Sequence, residues 1–265
     1  MCTIIVRHRM DDFCSTIIAS NRDEFYDRPA TGPLVLRTEP LVVGGRDERE
    51  GGTWFGLGRD GLFLGLTNQR SFATRDDSLC SRGGLVLEAL AEGSLKGVEQ
   101  YLRRVDPATY NEFNLIFGDG EQLRAAYSRR DATAIEIENL AAGVHVLCND
   151  RLGSPEFPKA ERARVRVVAL PRDPWPRIKS ALVEVLADES LPDPSDVPPI
   201  PPGAPFGQDV ARCLQAICVK TPVYGTVSST IAALSPGRVE QYWFSDGQPS
   251  QQSFQNMTAL TRDTE

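Results

Sequence analysis

Apolar and polar positions alternate in short blocks along most of the chain, and the blocks come in pairs. Thr3-Ile4-Ile5-Val6 and Ser15-Thr16-Ile17-Ile18-Ala19-Ser20 are β-branched runs separated by the polar Arg9-Met10-Asp11-Asp12, a pattern that predicts a hairpin. With the turn centred near Met10-Asp11, paired residue numbers sum to about 21–22, which sets Cys2 opposite Ala19 or Ser20. The same alternation predicts further hairpins. Residues 53–58 pair with 62–67 across Arg59-Asp60-Gly61, and residues 113–117 with 122–127 across Asp119-Gly120. Residues 134–137 pair with 144–148, and 226–233 with 239–244. Residues 41–45 read as a short strand, whereas 26–39, carrying Pro29, Gly32 and Pro33, read as loop. Helical spacing sets in at 84–91 and 94–105, the second closed by Asp106-Pro107, and returns at 159–170, 175–187 and 209–219. Residues 188–207 are proline-rich and predict an extended loop within one domain spanning 1–265; the polar tail from Gln248 predicts loose chain.

Hairpins interleaved with two groups of helices place the chain in the α+β class, with helices packed on antiparallel sheet. Layer logic alone leaves the stacking order open. A net charge of -7 with acidic and basic residues intermixed offers no basic face, so no nucleic-acid partner is expected. No apolar run approaches the ~18 residues of a membrane span. Arg7, His8 and Arg9 interrupt the start, so no signal peptide is expected. The six cysteines form no C-x-x-C pair, which predicts a reducing, cytoplasmic setting. His8 and His145 have no ligand partners at metal spacing, and no P-loop or dinucleotide fingerprint is present.

The candidate chemistry lies at the start. Cys2 follows the initiator Met, which aminopeptidases remove before small residues; the exposed cysteine then carries its own base, an α-amine of pKa about 7.7–8.0. The first hairpin brings Asn21, Arg22 and Asp23 back beside the thiol. A guanidinium there favours the thiolate, and a carboxylate holds the protonated amine. The plainer reading is a chance cysteine in an edge strand with a solvated Asn-Arg-Asp-Glu strand end. Asn68 and Asn149 each close a predicted strand, where an amide can serve as an oxyanion donor or simply cap a turn.

Met1-Cys2-Thr3-Ile4 with Asn21-Arg22-Asp23-Glu24-Phe25 resembles the NRDE family, also known as the transport and Golgi organisation protein 2 family. Further matches are Gly51-Gly52-Thr53-Trp54-Phe55-Gly56, Leu66-Thr67-Asn68, Ser81-Arg82-Gly83, Phe113-Asn114-Leu115-Ile116, Gly143-Val144-His145 leading to Asn149, Pro158-Lys159, and Tyr224-Gly225-Thr226 with Ser228-Ser229-Thr230. The resemblance implies the N-terminal nucleophile hydrolase fold, a four-layer αββα sandwich of two antiparallel sheets flanked by helices. It also implies roles. Cys2 attacks a non-peptide amide or thioester of a small molecule, Arg22 and Asp23 hold the thiolate and ammonium, and Asn68 and Asn149 stabilise the oxyanion, with no cofactor. Bile-salt hydrolases and penicillin V acylases, which share that fold, use an Arg, an Asp and Asn residues in such roles. One position departs: Val227 stands where many members carry Arg, and Arg70 and Arg151 are the candidates to replace it. The competing reading is a non-catalytic carrier, since relatives are linked with Golgi organisation, secretion and haem or lipid handling; Cys2 would then be a vestige or a thiolate ligand to haem iron. Ser81-Arg82-Gly83-Gly84 reads as a helix-entry loop, with a place facing the cleft as the alternative.

Overall fold

The computed structural model describes residues 2–72 and 75–262. Its strands and helices run in the order β1 (Cys2–His8), β2 (Thr16–Phe25), β3 (Ala30–Thr38), β4 (Leu41–Asp47), β5 (Phe55–Gly58), β6 (Phe63–Asn68), α1 (Arg82–Leu90), α2 (Leu95–Arg104), β7 (Phe113–Gly118), β8 (Leu123–Ser128), β9 (Glu136–Leu140), β10 (Gly143–Leu147), α3 (Pro158–Val168), α4 (Trp175–Leu186), α5 (Gln208–Cys213), β11 (Tyr224–Ser235), β12 (Arg238–Asp246) and β13 (Gln255–Asn256). Two antiparallel sheets result. The first has the order β10-β1-β2-β11-β12-β13 and the second runs β3 to β9 in sequence.

Strand periodicity sorts the side chains into layers. Ile4, Val6 and Ile18 of the first sheet meet Phe55, Leu57, Phe63 and Ile116 of the second in the space between the sheets. The alternate residues Ile5, Ile17 and Ala19 face outward onto Ala163, Val167, Ile178 and Leu182 of α3 and α4. On the far side, Leu64, Leu66 and Leu115 pack against Leu85, Val86, Ala89, Val98 and Leu102 of α1 and α2. The stack is therefore helix, sheet, sheet, helix, as the resemblance implied. Sheets covered on both faces read as nearly continuous apolar strands. Ser81 and Ser94 start α1 and α2 by accepting from the backbone N–H of Gly84 and Gly97. No helix among the described residues is long and apolar enough to cross a membrane.

Several expectations change. The β1–β2 register pairs Cys2 with Arg22, not with Ala19 or Ser20. The connection is longer than a tight turn: the Arg9 N–H donates to Ser15 O, and the whole 9–15 stretch lies outside the ladder. Residues 30–38 form an edge strand rather than loop; its pairing with β4 shifts between Thr31 and Leu34, which accommodates Pro33. β9 and β10 are not a hairpin, because β9 pairs with β8 in the second sheet and β10 with β1 in the first. The helix expected at 209–219 stops at Cys213. The tail is anchored: the Tyr242 N–H donates to Thr258 Oγ1 at 2.9 Å, and Met257 and Leu260 pack on the inter-sheet core.

Candidate active site

Cys2 shares the parity of Ile4 and Val6 on β1, which turns its side chain into the space between the sheets. Its ladder partner Arg22 projects from the same face of β2. Arg22 is almost fully buried; its guanidinium lies 4.3 Å from the centre of the Trp54 ring and 3.9 Å from Glu24 Oε2. Burial pushes the Cys2 thiol up, while the Arg22 charge and a bond to the Asp23 backbone pull it down.

Asp23 is buried on the opposite side of β2, toward α3. Its Oδ1 accepts from Thr226 Oγ1 at 2.7 Å, its Oδ2 lies 4.0 Å from the Nζ of a completely buried Lys159, and its carbonyl accepts from Tyr224 Oη at 2.7 Å. Burial raises the Asp23 carboxyl, with Lys159 and Thr226 pulling against it. The Tyr-Gly-Thr motif is thus a cradle for Asp23. Gly225 is required between the two holding residues, because a Cβ there would stand 2.5 Å from Val219 O and closer still to Tyr26 Oη. Val227 is the extra residue of a bulge, opposite the step from Asp23 to Arg22.

Asn21 is buried, with its side chain bonded to the scaffold. Its amide donates to Leu186 O and Ile217 O, both at 2.9 Å, and its Oδ1 accepts from Ser229 Oγ at 2.6 Å. Every polar atom is satisfied, and the residue clamps α4 and the 217 segment onto the first sheet.

A cleft of about 730 Å³ opens at this end of the sandwich, lined by Cys2, Arg22, Asp23 and Asn68 among others. Asn149 does not line it. The Asn149 Nδ2 donates to Asn68 O at 2.7 Å and its own carbonyl accepts from the Arg70 N–H at 2.7 Å, so Asn149 ties the end of β10 to the end of β6 from behind. The Asn68 amide makes no hydrogen bond to another described residue and remains available to the cleft. Neither Arg70 nor Arg151 lines the cleft either: Arg70 pairs with Glu156 at 2.7 Å and Arg151 with Glu136 at 2.6 Å, so neither takes the place left by Val227.

The rest of the lining is a belt of ion pairs. Arg28 Nη2 reaches Asp47 at 2.5 Å and Glu50 at 3.1 Å, with Glu24 at 3.8 Å from its Nε; Arg75 pairs with Glu50 and with Asp77. Against its burial, the Arg75 and Arg28 guanidiniums hold Glu50 at about 2. The start of α1 forms one wall. Thr53 N–H donates to Gly83 O at 3.1 Å, and a Cβ on Gly52 would stand 2.1 Å from the Gly83 carbonyl carbon, so this junction needs glycine. Sequence reasoning assigned no chemistry to Lys159, Thr226, Tyr224 or Trp54. Each lies inside a motif that was visible, but only the fold shows that three of them converge on Asp23 and the fourth on Arg22. Met1, whose removal the terminal-amine reading requires, lies outside the described residues.

The family model for Transport and Golgi organisation 2 matches residues 1–242. The bovine Transport and Golgi organization protein 2 homolog is 32% identical over 237 residues, covering 81% of this chain and 80% of the relative. The human homolog is 32% identical over 235 residues with the same coverage. Among solved structures, the C2A mutant of conjugated bile acid hydrolase from Clostridium perfringens superposes with a TM-score of 0.52 over 99% of this chain and 95% of that one, at 11% identity. The Caenorhabditis elegans ortholog of N-acylethanolamine-hydrolyzing acid amidase gives 0.53 over 88% and 92%, at 15% identity. Penicillin V acylase from Agrobacterium tumefaciens gives 0.53 over 92% and 83%, at 13% identity. At these identities the likeness establishes the fold, that of the N-terminal nucleophile hydrolases.

Proposed function

The chain belongs to the Transport and Golgi organisation 2 family, and from that premise we propose that it is an N-terminal-cysteine hydrolase of a small-molecule, non-peptide amide or thioester. The observation that carries the reading is the pairing of Cys2 with Arg22 at the floor of the cleft, with the Asp23–Lys159 pair buried behind them.

After loss of Met1, attack of the Cys2 sulfur on the carbonyl carbon is accompanied by transfer of the thiol proton to the α-amine. Asp23 holds the resulting ammonium. The tetrahedral oxyanion takes a hydrogen bond from the Asn68 amide, whose backbone Asn149 fixes. The carbon–nitrogen bond of the amide, or the carbon–sulfur bond of the thioester, breaks as the ammonium returns its proton to the leaving group. Water then cleaves the Cys2 thioester, releasing the acid and regenerating the thiol. Val227 leaves the bulge without the arginine that many family members have, so Arg22 is the only arginine beside the thiol in this scheme. The charge-rich lining favours this chemistry over carriage of haem, whose macrocycle needs an apolar slot.

Incubation with a panel of N-acyl amides and acyl thioesters, followed by intact-mass analysis, tests the reading. An acyl adduct mapping to Cys2 and absent from Cys2→Ala supports it. Turnover that survives Cys2→Ala overturns it.

A further inference from the structure

The cleft holds a cation that the hydrolytic scheme does not use. Arg82, the first residue of α1, is partly buried in the wall facing the nucleophile. Its position is fixed through neighbours already described: Gly83 holds Thr53, Trp54 follows Thr53, and Trp54 stacks on Arg22, the ladder partner of Cys2. The Arg82 Nη1 donates to Glu112 O at 3.2 Å, a neutral carbonyl. Among the described residues no carboxylate forms an ion pair with it.

The surrounding charges do not supply that partner. Arg75 and Arg28 act on Arg82 from one side of the balance and Glu50 and Glu24 from the other, two cations against two anions. Both acids are already held: Glu50 by Arg28 and Arg75, and Glu24 by Arg28 and Arg22. Asp47 and Asp77 are likewise held by Arg28 and Arg75. Among the described arginines lining the cleft, Arg82 and Arg49 have no carboxylate partner, and of these Arg49 is exposed whereas Arg82 is partly buried. Burial, reinforced by the Arg75 charge, pulls Arg82 down to about 10, the behaviour of a cation short of a counter-ion.

We propose that Arg82 is an anion subsite and that the ligand of this cleft is a small acidic molecule, bearing a carboxylate that the Arg82 fork receives while the rest of the molecule extends toward Cys2. A guanidinium presents paired N–H donors matched to a carboxylate, and an approaching anion would meet acids that are already neutralised. The proposal rests on the reading of the cleft as a small-molecule site, yet it concerns recognition and not turnover.

The test is therefore a binding measurement on the full chain carrying Cys2→Ala, which separates it from hydrolysis. Dansylglycine carries a carboxylate; dansylglycinamide is its neutral twin. The affinity of each is read by fluorescence in Cys2→Ala alone and combined with Arg82→Gln, Arg82→Lys or Arg49→Gln. Arg49 is an exposed arginine of the same cleft. The carboxylate dye is expected to bind about tenfold more tightly than the amide, the scale of one charge-assisted contact. Arg82→Gln should erase the preference, Arg82→Lys should keep part of it, and Arg49→Gln should leave it in place, with melting temperatures confirming that each variant folds. Equal affinity for the two dyes, no binding of either, or a preference that survives Arg82→Gln or disappears with Arg49→Gln overturns the proposal. Acylation of Cys2 in the wild type is scored separately, so a failed hydrolase reading leaves the dye result interpretable.

Discussion

Asp23 and Lys159 are a carboxylate and an ammonium completely withdrawn from water, 4.0 Å apart. Such a pair is weak evidence for stability, but removing one partner leaves the other charge buried alone. Lys159→Met is therefore expected to cost about 3–5 kcal/mol in a denaturant melt. The double variant Asp23→Asn with Lys159→Met should recover part of that loss, whereas an additive result would contradict a direct pair. The two asparagines separate at the same scale. Asn68 faces the cleft, so Asn68→Ala should lower kcat about 10²–10³-fold on whichever substrate acylates Cys2, with little change in melting temperature. Asn149→Ala removes the bond to Asn68 O and should lower the melting temperature as well as kcat. The reverse assignment of effects would exchange the two roles.

β1 and β2 show what a sequence can and cannot reveal at the level of elements. Their β-branched runs announce two paired strands, and the return of Asn-Arg-Asp to the thiol follows from that pairing alone. The register does not, because it depends on how many residues the 9–15 connection takes out of the ladder, and polar residues there look the same at any length. β3 escaped notice because proline and glycine in an edge strand mimic loop. The β9–β10 step misled because a short strand, two alanines and another short strand look like a hairpin whether or not the chain changes sheets. The far end of β1 makes a prediction of its own. His8 is buried, its Nδ1 2.9 Å from Thr16 Oγ1, and burial followed by the charges of Arg9 and His145 lowers its pKa from 6.5 to about 4. The unfolded chain binds that proton more readily, so the stability contributed by neutral His8 is complete above pH 6.5 and is lost as the pH falls toward 4. Denaturant midpoints at pH 7 and pH 5 should differ in the wild type, and the difference should shrink in His8→Gln; an unchanged difference would place the sensitivity elsewhere.

Across the whole molecule, the four layers bring residues from distant parts of the chain to one end of the sandwich. Cys2 and Arg22 come from the first hairpin, Trp54 from the segment leading into β5, Asn68 from β6, Lys159 from α3, and Tyr224 and Thr226 from β11. The individual motifs were visible in the sequence, as was their resemblance to a family. Their convergence was not, because contacts such as Thr226 to Asp23 span 203 positions of chain and form only when β11 comes to lie beside β2 in the first sheet. The central claim is that this convergence serves a free N-terminal cysteine. The most direct measurement is the intact mass of the natively purified protein before and after treatment with an acyl thioester at neutral pH, with Cys2→Ala alongside. The account predicts a chain lacking Met1 that gains a single acyl group in the wild type and none in the variant. A retained Met1, or acylation indifferent to Cys2, would contradict it.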